Sequence, residues 1–315
     1  MENSLNNLKQ KNEQTVADDE IDLRELFTAI WQGKWIIIAI TALFAVASVF
    51  YAINQPNIYK SEALLAPAEQ DQQGGLGALA GQFGGLAGLA GVNLGGGGSN
   101  KSQLAIEILK SRQFTSKFIQ KHNILPDLMA VKSWDLSTNT LTYDPKVYNA
   151  ANNTWLREVK APKQPEPSLQ EAYKEFVKVI GVDESKDTGM ISLSVEHKSP
   201  VVAQQWVNWL IQDINAEMKN RDVDEANKST EFLTKQLSQT KVADIRTVLY
   251  KLIEEQTKTI MFANVRNEYV FKTIDPALVP EIKFKPKRAL ICVLGVLIGG
   301  MLSGIFVLIR HYIKK

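Results

Sequence analysis

The chain has 315 residues, a formal net charge of +2 and a single cysteine. So small an imbalance gives no electrostatic reason to expect nucleic acid or a strongly acidic partner, and the lone Cys292 allows neither an intrachain disulfide nor a thiolate metal site. The charges are unevenly placed: residues 35–53 and 289–309, runs of 19 and 21, carry none.

Each run is long enough to cross the ~30 Å hydrocarbon core of a bilayer as one helix. Residues 54–288 between them, 235 in number, are too polar for lipid and sufficient for a hydrophobic core. The pattern predicts two spans bracketing a large soluble domain, with both termini on one membrane face. A cleaved signal peptide is the weaker reading of the first run, because seven acids precede it and signal peptides open with short basic regions. Arg24 and Lys34 before that run, against Lys60 alone after it, favour a cytoplasmic N-terminus. The second run is ambiguous, with Lys283, Lys285, Lys287 and Arg288 ahead of it and Arg310, Lys314 and Lys315 behind.

In chain order, residues 1–20 are polar, and residues 21–34 place Leu23, Leu26, Phe27, Ile30 and Trp31 on one helical stripe. Such a helix either lies on the inner membrane surface or extends the span. Residues 58–66 read as a strand ended by Pro67. Residues 74–98 hold twelve glycines in 25 positions, and no charge falls between Asp71 and Lys101. Leu76, Leu79, Phe83 and Leu86 recur there at helical spacing. A loop and a packed contact with a neighbouring chain are both open readings; a third span is disfavoured by the glycines.

Residues 103–111 and 113–122 read as short helices. Residues 140–167 look like a loop, with Pro145, Pro162, Pro165 and Pro167 as breakers. Ser168 can cap a helix over 169–180, and residues 189–197 alternate as a strand, with Ile191, Leu193 and Val195 on one side. Ser199-Pro200 opens the longest helix, running to about residue 239, nearly 60 Å at ~1.5 Å per residue. A second helical pattern predicts an antiparallel hairpin over 200–266 that turns near 238–242. Val223 and Ala226 stand in its polar middle as candidate contacts between copies. A strand over 269–274 and an extended connector containing Pro276, Pro280 and Pro286 lead into the second run.

Chemical motifs are sparse. Residues 95–102, GGGGSNKS, resemble a phosphate loop, but Asn100 replaces the required glycine and no strand precedes it. His122, His197 and His311 have no second ligand at metal spacing. No catalytic residue, cofactor or metal is expected. Gly295, Gly299 and Ser303 follow one another at i, i+4, i+8 in the second run, beside Gly300 and Gly304, a spacing that lets helices approach closely.

Taken together, IDLRELFTAIWQGKW, IYKSEALLAP, SPVVAQQWVNWLIQDIN and PALVPEIKFKPKRALI followed by a Gly-rich span resemble, in order, the Wzz-type chain-length determinant family, the class 1 polysaccharide co-polymerases. The 74–98 insertion departs from the shorter members. The resemblance implies an α+β fold: two transmembrane helices (35–53 and 289–309) flanking a periplasmic domain (54–288), whose α/β base carries the long hairpin, with cytoplasmic segments 1–34 and 310–315. It also implies a bacterial inner-membrane protein that forms a ring-shaped homo-oligomer beside a Wzy-type polymerase and its lipid-linked glycan. Such a protein sets O-antigen length without being an enzyme. The alternative is a capsule or exopolysaccharide co-polymerase serving a separately encoded tyrosine kinase.

Overall fold

The computed structural model describes residues 28, 30–68 and 97–314, and these fall into two compact units, one drawn from within 1–56 and 285–315 and the other from within 57–284. Helix α1 (Lys34–Asn54) belongs to the first unit. The body starts at β1 (Tyr59–Pro67), whose period-2 alternation buries Ser61, Ala63 and Leu65. Three helices follow the 69–96 stretch: α2 (Gly97–Leu109), α3 (Arg112–His122) and α4 (Leu125–Met129). The Ser111 hydroxyl caps α3 by accepting from Phe114 N, and Asn123 ends it in the left-handed region at φ 51°.

Two small hairpins come next, β2 (Val131–Asp135) with β3 (Thr140–Tyr143) and β4 (Tyr148–Asn149) with β5 (Thr154–Trp155). Part of the segment expected to be loop is therefore strand. Pairs this short carry no buried alternation, and turn chemistry makes them instead. The Asp135 carboxylate accepts from the backbone N–H of Ser137 and Thr138, at 2.8 and 3.0 Å. Asn139 and Asn153 take positive φ in the turns.

Helix α5 (Leu169–Val179) is capped by Ser168, which accepts from Glu171 N, and runs directly into β6 (Ile180–Glu184), a strand that sequence reasoning missed. β7 (Ile191–His197) buries Ile191, Leu193 and Val195 completely. The Ser199 hydroxyl then accepts from Val202 N, with Pro200 in the first turn, and launches α6 (Pro200–Gln239), 40 residues long. Helix α7 (Ala243–Val265) returns antiparallel to it, β8 (Phe271–Asp275) follows, and α8 (Arg288–Lys314) closes the first unit.

The main sheet has the order β6-β7-β1-β8 and is antiparallel throughout. β1 lies in its centre, with Tyr59 opposite His197 and Leu65 opposite Ile191. The first half of α6 lays Trp206, Val207, Leu210 and Ile214 on this sheet, all at most 1% exposed, and α5 adds Phe176. Burying each of these large side chains is worth about 1.5–3 kcal/mol. The body's chain ends meet where Phe284 N donates to Ile58 O at 2.8 Å.

One polar side chain inside this core decides where the hairpin rejoins the sheet. Asn215, 4% exposed on α6, accepts through Oδ1 from three successive backbone N–H groups, Tyr269 at 2.9 Å, Val270 at 2.8 Å and Phe271 at 3.0 Å. Its Nδ2 donates to Ile211 O and Phe271 O, both at 3.1 Å. Asn215→Ala strands three buried donors, and at about 1–3 kcal/mol each the full-length protein should lose on the order of 3 kcal/mol or more. A thermal unfolding midpoint in mild detergent unchanged from the parent would refute this account.

Candidate functional site: the paired apolar helices and the hairpin surface

Helices α1 and α8 are each long and apolar enough to cross a membrane, with a mean hydropathy of 2.6. They pack against one another as an antiparallel pair. A Cβ built on Gly295 would lie 2.4 Å from Ser48 Cβ, and one on Gly299 would lie 2.7 Å from Phe44 Cβ. Ser303, fully buried, places its Oγ 3.5 Å from Thr41 Oγ1. At one end of the pair Gly33 approaches Val307, and at the other Arg288 Nε donates to Ala52 O at 3.1 Å. Gly295, Gly299 and Ser303 thus form a seam against the chain's own first helix. Gly300 and Gly304 are different: a Cβ on either meets nothing within 4 Å. The two sets point to different sides because 100° separates neighbouring residues on a helix. The first-helix half of the seam went unread, although small Thr41, Ser48 and Ala52 recur along it as a usable signal.

The hairpin gives a second surface. Val223 packs half-buried against the core cluster, and Ala226 is 1% exposed. The chain itself buries Ala226 and half-buries Val223 where α7 returns along α6, which corrects the expectation that Ala226 awaits another copy; Asn220, Arg221, Asp224 and Glu225 around them stay exposed. The open apolar side chains lie elsewhere, with Phe232 61%, Met261 62% and Val265 82% exposed. Ile245 and Leu252 on α7 are also exposed. Leu76, Leu79, Phe83 and Leu86 fall outside the described residues, as does the 21–27 stretch. Of the proline connector, Pro276 is exposed while Pro280 and Pro286 are half-buried.

The titratable groups are largely engaged in fastening elements together. His122 Nε2 lies 2.8 Å from Asp213, and its ring stacks on Trp209 with centroids 4.1 Å apart, which ties α3 to α6. Lys121 joins the same carboxylate at 2.6 Å. Lys101, the lysine of the failed phosphate loop, pairs with Asp222 at 2.7 Å, and Tyr269 donates its hydroxyl to that same carboxylate. Burial and this hydrogen bond push the Tyr269 phenol well above its usual range. A cleft of about 470 Å³ beside this pair is lined by Leu104, Arg221, Asp224 and Lys228 among others, a mixed-charge wall without a concentrated field. Among the described residues no three His, Cys, Asp or Glu side chains are grouped to hold a metal.

His197 is the buried exception, 7% exposed. Ser199 N donates to its Nδ1 at 3.0 Å, so Nε2 must carry the proton that it gives to Asp127 O, also at 3.0 Å. The neutral ring is fully satisfied. Burial holds its pKa below the ordinary value, against the opposing pull of the Asp127 carbonyl.

Residues 19–122 match the family model for Wzz, the chain length determinant protein. Residues 234–312 match GNVR, described as a G-rich domain on putative tyrosine kinase. The first of these matches supports the resemblance to the Wzz-type chain-length determinant family. Among solved structures it is similar to a full-length bacterial polysaccharide co-polymerase, at 14% identity and a TM-score of 0.35 over 94% of this chain and 98% of that one. A fragment of WzzB, a polysaccharide co-polymerase from Salmonella Typhimurium, follows at 14% identity and a TM-score of 0.26, covering 73% of this chain and 100% of that one. A mutant of the Shigella flexneri lipopolysaccharide O-antigen chain-length regulator gives 10% identity and a TM-score of 0.21, covering 72% and 99%. No curated protein matches the chain in sequence.

Two predictions follow from these geometries. Gly295→Leu and Gly299→Leu must wedge α1 from α8, and overpacking of this kind costs about 1–3 kcal/mol; both should lower the unfolding temperature of the purified monomer in detergent. Gly300→Leu and Gly304→Leu should leave it unchanged, and equal effects from all four would refute the seam. A histidine with a depressed folded pKa stabilises the fold fully above its unfolded value of about 6.5 and loses that contribution as pH falls through the folded one. Stability should therefore decline as pH falls below about 6.5 and decline less steeply in His197→Gln; parallel profiles would place the acid sensitivity elsewhere.

Proposed function

We propose that this chain regulates the length of a surface polysaccharide, lipopolysaccharide O-antigen in the first instance, as a non-enzymatic scaffold in the bacterial inner membrane. The chain-length determinant match over residues 19–122 carries the reading, because it takes in α1, β1, α2 and α3 as one piece. In this reading α1 and α8 are the two spans, the termini are cytoplasmic, and residues 57–284 form the periplasmic body. Support for the topology comes from the two long apolar helices at the ends of the body and from the charges around the first of them.

The scaffold acts as a homo-oligomer beside a Wzy-type polymerase, organising the enzyme and its lipid-linked glycan. Exposed Phe232, Met261 and Val265 on the hairpin support self-association, since apolar side chains of this size left open on a polar helix mark contact surfaces. A second reading has its own observation. The match of residues 234–312 to a G-rich domain described on putative tyrosine kinases favours a capsule or exopolysaccharide co-polymerase that works with a separately encoded kinase.

Deletion and complementation in the source bacterium decide between the two. Loss of the chain should leave O-antigen polymerisation running with its preferred length erased, seen as a spread of bands on a lipopolysaccharide gel. Restored banding from the plasmid-borne gene completes the test. An unchanged lipopolysaccharide ladder with altered capsule size would select the second reading, and no change in either glycan would reject both.

A further inference from the structure

The connector before the second apolar helix carries hydrophobic side chains that stay exposed among the described residues. Leu278 is 69% exposed, Val279 42% and Ile282 81%. The backbone beneath them is held firmly: Ala277 O accepts from Gln204 Nε2 at 2.9 Å, Leu278 O accepts from Ser61 Oγ at 2.7 Å, and Phe284 N donates to Ile58 O at 2.8 Å. These side chains are therefore presented outward on a pinned strap and are not the trace of a segment that could fold back on the body. Pro276, Pro280 and Pro286 prevent it from becoming helix.

Chain length limits where the strap can be. Ile282 precedes Arg288, the first residue of α8, by six residues, which span at most ~20 Å. Ile58, bonded to Phe284, follows Asn54, the last residue of α1, by four residues, which reach at most ~14 Å. If α1 and α8 cross the bilayer, the strap is confined near its surface by connectivity alone. Its charge fits that surface too. Between Pro276 and Arg288 there are four cations, Lys283, Lys285, Lys287 and Arg288, against the single acid Glu281.

We infer that residues 276–287 form a membrane-interface anchor, with Leu278, Val279 and Ile282 entering the boundary between headgroups and acyl chains and the following lysines meeting lipid phosphates. Apolar side chains at that depth with lysines extended toward the headgroups are the usual composition of interfacial segments. The inference rests on the proposed topology. It also accounts for the charge ambiguity of the second span: cations on the periplasmic side serve the lipid surface there.

The test uses the full-length chain in nanodiscs of phosphatidylglycerol and phosphatidylcholine. In a Cys292→Ala background, Ile282→Cys, Leu297→Cys and Lys241→Cys are each labelled with an environment-sensitive fluorophore, and quenchers are placed on shallow acyl positions of the lipid. Leu297 lies within α8, and Lys241 lies in the hairpin turn at the far end of α6. The expected result is blue-shifted emission and strong loss of signal at both 282 and 297, with neither at 241. Quenching at 297 alone would overturn the anchor and leave the spans intact. No quenching at 297 would overturn the topology, and the anchor with it. A blue-shifted label at 282 that ignores the lipid quencher would mean that protein covers the strap, which also overturns the anchor.

Discussion

The chain must leave its sheet, travel along a 40-residue helix, turn and come back in register, and Asn215 is the group on which that return depends. After α7 the backbone approaches β8 through Tyr269 and Val270, both 5% exposed; Val270 O accepts from Ala68 N at 2.9 Å, but the N–H groups of both turn inward to Asn215. Each buried N–H group without an acceptor costs about 1–3 kcal/mol, comparable to what a buried side chain supplies. A single carboxamide oxygen meets three of them at once, and its amide nitrogen answers two carbonyls. From there β8 pairs with β1, and the chain ends of the body come together at Ile58 and Phe284. A hairpin that rejoined one residue out of step would turn buried Phe271 to the opposite face of the sheet.

Local signals explain why some of this was readable in the sequence. Ser168 and Ser199 each stand immediately before an apolar stripe, and each does accept the N–H three residues on. Ile191, Leu193 and Val195 alternate cleanly because β7 has one face in the core. By contrast, β2 to β5 have at most one buried residue each, so their sequence carries turn chemistry and no periodicity. β6 was hidden by its position directly behind α5. Asn215 carries no signature at all, since an asparagine in a helix is ordinary until the strand that it serves is known.

The glycine pattern in α8 shows a further limit of one-dimensional reading. Spacing announces a close helix contact but does not name the partner. Gly295 and Gly299 turn out to face α1, while Gly300 and Gly304, one position along from Gly299 and Ser303, face away from it. In lipid the association of two helices comes mainly from packing of this kind, because hydrocarbon offers no hydrophobic drive to bring them together. The α1–α8 pair therefore forms its own small core, in which glycines let Phe44 and Ser48 of α1 and Val307 of α8 approach the facing backbone closely. Ala226 teaches the same lesson in the hairpin, where a residue that looks stranded among charges is covered once α7 lies beside it.

A protein whose proposed task is to hold other molecules in place needs surfaces that stay put, and the polar groups of this body serve that end. Asp213 receives both Lys121 and His122 from α3, and Asp222 receives Lys101 from α2 and Tyr269 from the start of β8. Each ion pair bridges elements far apart in sequence, so each anchors the root of α6 to a different layer. Partly exposed pairs contribute little individually, roughly 0–1 kcal/mol, yet these converge on one stretch of helix, from Asp213 to Asp222, beside the apolar contacts of Ile214 and Met218. The root of the hairpin is thereby made rigid by packing and charge together. Beyond Ala226 no buried residue remains on α6, and α7 lies beside that outer part. The exposed apolar positions Phe232, Ile245 and Leu252 lie in that outer part of the hairpin. Contacts between copies made there would bury apolar side chains that the described residues leave open, which gives a physical reason for the hairpin to function as an assembled surface.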